Sequence, residues 1–210
     1  MKKINNIHTR KSDEDIVRKR AEADALIKDI QKLRTSRDQD EIQRILGSMY
    51  EISKSDNMIA LDVLARIDPL EIMTSRRRGI FRRNDNILSD FVFSDTNSLG
   101  REGRVCQMIV CQILSVRGCV ASNRSTSSDT LRNLATRSLM AGVDEGIDTT
   151  LQRKIIDNPN TPADAIAYIA KGSRYDAVRE DAGERLRSRY REFRENESLR
   201  EMWGSFLRNR

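Results

Sequence analysis

The sequence predicts an all-α protein: an N-terminal helical region, a long basic loop, and helical-hairpin repeats forming a short α-solenoid. Three observations carry that expectation. Val120 to Ala135 lies over Ile155 to Ala170 without a gap, an internal echo at a spacing of 35 residues, and self-similarity at such a period marks stacked helical units. Charged residues make up 33% of the 210-residue chain while aromatics make up 5% and there are 3 prolines, a profile that suits helices and argues against a β-sandwich. Helix start and stop signals also recur along the chain at helical-hairpin intervals.

The elements follow in order. Residues 1–11 carry Lys2, Lys3, Arg10 and Lys11 without an acid and read as a basic flexible tail. Ser12 followed by Asp13, Glu14 and Asp15 is a helix start. The helix it opens runs to about Leu33, with Ile16, Ala23, Leu26, Ile30 and Leu33 on one seam; Lys19 interrupts that seam, so a coiled coil is not expected. A second helix spans about Asp38 to Ser53 with Ile42, Ile45, Leu46, Met49 and Ile52 inward, and a third carries Met58, Ile59, Leu61, Leu64 and Ile67. Asp68-Pro69-Leu70-Glu71 supplies a cap, a first-turn proline and an N3 glutamate, opening a helix that ends near Arg78. The N-terminal helical region is therefore 12–78. Residues 79–104, rich in Asn, Asp and Ser, read as a loop, and 105–210 as the repeat region.

Within that region the second copy of the echo combines a stop with a start. Asn158 tolerates the left-handed conformation at a helix end and Pro159 cannot continue the helix. Thr161 offers a capping oxygen, Pro162 suits the first helical position, and Asp164 favours the first turn. Asn123, Thr126 and Asp129 take the same three roles in the first copy, with Ser127 in place of the proline. Leu131, Leu134 and Ala135 match Ile166, Ile169 and Ala170 on one helical face. Ser138 to Thr149 reads as an inserted loop, and Tyr175-Asp176-Ala177-Val178-Arg179 as the start of a third, degenerate unit. The run Asn158-Pro159-Asn160-Thr161-Pro162, with Ile166, Ile169-Ala170 and Ala177-Val178-Arg179, resembles the variant leucine-rich repeat, an α-helical solenoid similar in style to HEAT repeats. The resemblance covers residues 115–185 and implies a curved stack of helices, with no particular activity.

Chemistry is sparse. The single histidine, His8, leaves no serine or cysteine triad, and no glycine precedes a lysine, which excludes a phosphate-cradling P-loop. Cys106, Cys111 and Cys119 have no zinc-like spacing and read as buried free thiols. Asp38-Gln39-Asp40-Glu41 is expected to cap a helix rather than hold a metal. No catalytic residue, metal or cofactor is expected, and the chain reads as a non-enzyme. With no membrane-length apolar run and no signal peptide, it reads as soluble, intracellular and cytoplasmic.

The informative charge is local. Arg76, Arg77, Arg78, Arg82 and Arg83, together with the four basic residues of the tail, outweigh the net charge of +6. That cluster, with Phe81 between its halves, suits phosphate and base contacts, an acidic protein surface, or simple solvation, and the sequence leaves the three open. The final helix, Ser198 to Leu207, gathers Leu199, Met202, Trp203, Phe206 and Leu207 on one face, to close the last repeat or to dock a partner. The expected function is a protein-interaction module, adaptor or structural component of a larger assembly, with protein partners. The alternative is nucleic-acid binding through Arg76 to Arg83. The oligomeric state stays open.

Overall fold

The computed structural model describes residues 2–76, 95, 99–140 and 145–195, and every structural statement below concerns those residues. They form nine α-helices: α1 (Lys2–Leu33), α2 (Gln39–Ile52), α3 (Met58–Arg66), α4 (Pro69–Arg76), α5 (Arg101–Ser122), α6 (Ser128–Met140), α7 (Glu145–Asp157), α8 (Ala163–Gly172) and α9 (Asp176–Glu195).

Local chemistry explains most boundaries. Asp38 accepts hydrogen bonds from the backbone N–H groups of Asp40 and Glu41, capping α2, with both acids in the first turn. Asn57 does the same for α3 through the Ala60 N–H at 3.1 Å. Pro69 opens α4 behind Asp68, whose carboxylate accepts from the Leu70 N–H at 2.9 Å.

Several expectations need correcting. Helix α1 begins at Lys2, not Ser12. Neither Gly nor Pro separates the two positions, and a cap-competent serine with no breaker beside it can lie inside a helix. α5 begins at Arg101, four residues inside the expected loop. The stretch read as an inserted loop, Ser138 to Thr149, is mostly helical, because α6 runs to Met140 and α7 starts at Glu145. Ser138 and Asp148 are buried there.

One continuous core links the chain from Ala23 in α1 to Ala182 in α9. Helix α2 packs on α5, α5 on α7, and α7 on α9; separately, α1 packs on α3, α3 on α6, and α6 on α8. α5 is central and also touches α3, α4 and α6. By length and composition it is apolar enough to cross a membrane, a property the sequence reading missed, yet Cys106, Ile109, Val110, Ile113, Val116, Val120 and Ala121 on it are all buried within the protein. Leu61, Leu131, Leu134 and Ile166 have no exposed surface, and truncating any of them to alanine costs about 2–5 kcal/mol.

Cys106, Cys111 and Cys119 were all expected to be buried free thiols. Cys106 is buried, but Cys111 is exposed and Cys119 half-buried, because a helix packed by five neighbours still turns one strip outward.

Candidate functional site

The echoed asparagines do the same job through their side chains, bridging each turn to the one before it. Asn123 is extended, with φ −74° and ψ 125°, not left-handed. Its Oδ1 accepts from the Ser125 N–H at 2.8 Å, and Asn158 accepts identically from the Asn160 N–H at 2.9 Å. That leaves each side-chain amide free to donate outward. Asn123 Nδ2 reaches the Ser53 and Ser55 carbonyls at 3.0 and 2.8 Å. Asn158 Nδ2 reaches the Ala121 and Asn123 carbonyls at 2.7 and 2.9 Å.

The threonines were misassigned too. Thr126 Oγ1 donates back to the Val120 carbonyl at 2.6 Å, and Thr161 Oγ1 to the Ile155 carbonyl. They close the helix behind them rather than cap the helix ahead. The cap of α6 is Ser127, whose Oγ accepts from the Thr130 N–H at 3.2 Å. Pro162 precedes α8 in an extended conformation with no side-chain cap.

These bonds join into a ladder along the turns. At its start Asn57 Nδ2 donates to the Lys19 carbonyl at 2.9 Å and to Glu22 at 2.6 Å, fixing α1. Asn123 and then Asn158 follow, each one turn onward. At its end the guanidinium of Arg189, on α9, donates to the Thr161, Asn158 and Pro159 carbonyls. Sequence reasoning missed Arg189, which lies 31 residues beyond Asn158 with no local signal. The asparagines did carry a signal, their identity at the repeat spacing.

The arginine cluster divides. Arg76 is not a ligand-facing residue: its side chain is 3% exposed, it pairs with Glu102 at 2.9 Å, and its Nη1 donates to the Leu33 carbonyl at 2.6 Å. It ties the end of α4 to the start of α5 and the end of α1. Arg77, Arg78, Phe81, Arg82 and Arg83 lie outside the described residues, as do Leu199, Met202, Trp203, Phe206 and Leu207.

A different surface stands out. Of the seven exposed large hydrophobic residues, six lie on α1, α3 and α4: Ile16, Val17, Ile27, Met58, Ile59 and Leu70. Ile16 was expected on the packing seam of α1; α3 buries Ala60, Leu61, Leu64 and Ala65 and leaves Met58 and Ile59 exposed. Beside them runs an open groove of about 180 Å³ with Ile27, Val63, Ile67 and Ile72 on its floor, and Arg34, Arg66, Asp68 and Glu71 at its rim. Arg34 bridges Glu71 across it at 2.7 Å. A second, polar depression of about 490 Å³ between α7 and α9 mixes Asp157, Asp181 and Glu184 with Arg185, Arg187 and Arg191. Among the described residues no cluster of His, Cys, Asp and Glu has metal-ligand geometry.

No family model, curated protein or solved structure matches this chain.

Proposed function

We propose that this chain is a non-enzymatic protein-interaction module, an adaptor or structural component of a larger assembly, built as a short stack of helical hairpins. The stack is supported by the packing order, in which α2, α5, α7 and α9 follow one another and α1, α3, α6 and α8 run beside them. The asparagine ladder supports it as well, since equivalent positions of successive units make equivalent bonds. The α2–α3 hairpin then reads as an earlier copy: Leu61, Leu64 and Ala65 stand 70 residues, two periods, before Leu131, Leu134 and Ala135, and all six are buried. Helix α4 and the segment after it occupy the length of the missing unit.

The observation that carries the interaction reading is the apolar surface on α1, α3 and α4. Six exposed apolar side chains on α1, α3 and α4, in a chain with 33% charged residues, support a contact surface there. The polar rim of the groove fits the same pattern. The test is affinity capture from the source cell after nuclease treatment, comparing the natural chain with a Met58→Lys, Ile59→Lys variant. A stoichiometric protein captured by the first and lost by the second, at unchanged thermal stability, is the expected result. Capture indifferent to those substitutions overturns the surface.

Co-purifying nucleic acid in place of protein would favour the alternative reading, which rests on Arg77, Arg78, Phe81, Arg82 and Arg83. Affinity would then fall steeply with salt.

A further inference from the structure

At the C-terminal end of α3 two guanidinium groups meet on consecutive backbone carbonyls. Arg117 of α5 donates from Nη2 to the Ile67 carbonyl. Arg137 of α6 donates from Nη1 to the Arg66 carbonyl at 3.1 Å. Cations at the last carbonyls of a helix are favourable, and helix capping accounts for these two bonds.

Capping does not account for the rest. Arg117 is only 5% exposed, and its Nε is buried without any acceptor. No carboxylate bonds to it. Asp68, which attracts it from a distance, is committed to capping α4 through the Leu70 N–H. Burial first, and the Arg137 charge second, push the Arg117 guanidinium down to about 10. A buried cation without a directly bonded carboxylate is costly, and a second cation beside it raises the cost. A fold that needed only a capped α3 could place one arginine there, at the surface.

We propose that Arg117 and Arg137 form a binding site for a phosphate-type oxyanion at the junction of α3, α5 and α6. The two forks keep donors beyond those used on the carbonyls, and guanidinium forks match phosphate oxygens in pairs. Two positive charges side by side favour a dianion over a single carboxylate. The site uses none of the cluster from Arg77 to Arg83 and none of the exposed apolar residues on α1, α3 and α4, so it stands or falls apart from the interaction reading.

The experiment follows thermal unfolding of the full chain in inorganic phosphate against sodium chloride at matched ionic strength and pH 7. Phosphate stabilises proteins generally by exclusion from their surfaces, so the saturable part is what counts, read against Arg117→Met and Arg137→Gln. The natural chain should gain about 4 °C at roughly twenty times the dissociation constant, and both variants should lose that gain. Arg137 is only partly buried, so Arg137→Gln keeps the comparison valid even if Arg117→Met fails to fold. A rise that is linear and equal in all proteins, or a saturable rise that survives Arg137→Gln, overturns the site. Acetate acting as well as phosphate overturns the preference for a dianion.

Discussion

Asn158 shows how much one side chain can hold. It is 3% exposed, accepts one backbone N–H and donates to two carbonyls of the preceding unit. Replacing it with alanine removes both donations, although the Asn123 carbonyl keeps the Thr126 N–H at 3.1 Å, at a cost of about 1–3 kcal/mol. Asn158→Asp is the sharper substitution: the carboxylate keeps the turn's acceptor but faces two carbonyl oxygens with no proton to give. Urea unfolding at pH 7 should therefore rank the aspartate variant at or below the alanine variant. Equal stability of Asn158→Asp and the natural chain would contradict the ladder. That the residue mattered was legible from its recurrence. Its role was not, because an asparagine at a helix end has two uses, left-handed backbone or side-chain bridge, and only the neighbouring unit decides between them. Thr161 was misread for the same reason, its hydroxyl having N–H groups ahead and carbonyls behind.

Among the elements, α1 shows how an end is held ahead of the core. Among the side chains described on it the first buried one is Ala23, and upstream of it the Lys19 ammonium bonds Asp56 of the α2–α3 turn at 2.9 Å. The hydrogen bond to Asp56 raises Lys19, and the same bond lowers Asp56 below the usual carboxylate range. The carboxylate's contribution is thus present above the ordinary aspartate pKa and is lost as pH falls through its lowered value. The ammonium's contribution persists below the ordinary lysine pKa and is lost only above its raised value. Asp56→Asn should lower the urea midpoint by a constant amount between about pH 5 and 9, with the difference shrinking as pH falls below the ordinary aspartate pKa and through the lowered value of Asp56. A difference that persists in acid would mean the asparagine disturbs something other than the bridge. Helix and core face were legible for α2 because cap and periodicity agreed there, the start of α4 from its cap and proline, and the core faces of α6 and α8 from periodicity, their caps having been misplaced. The correspondence of α3 with α6 escaped notice because Ser53 stands 70 residues before Asn123, where the echo has asparagine, and because that interval is twice the 35-residue spacing.

For the whole molecule, the continuity of the core from Ala23 to Ala182 argues for one unfolding transition. Leu134→Ala, in the middle of that core, should shift the entire transition by about 2–5 kcal/mol without splitting it, as followed by far-ultraviolet circular dichroism and hydrogen exchange together. Two transitions would show that the α1–α4 region folds apart from the rest. The ladder that runs through this core also has a direction. Asn57 serves α1, Asn123 serves the turn at Ser53, Asn158 serves the turn at Asn123, and Arg189 serves the turn at Asn158. Every donor lies later in the chain than the carbonyl it satisfies. A nascent chain leaving the ribosome therefore cannot complete the bonds at Ser53 until Asn123, 70 residues later, has been made, nor those at Asn158 until Arg189, 31 residues later, has followed.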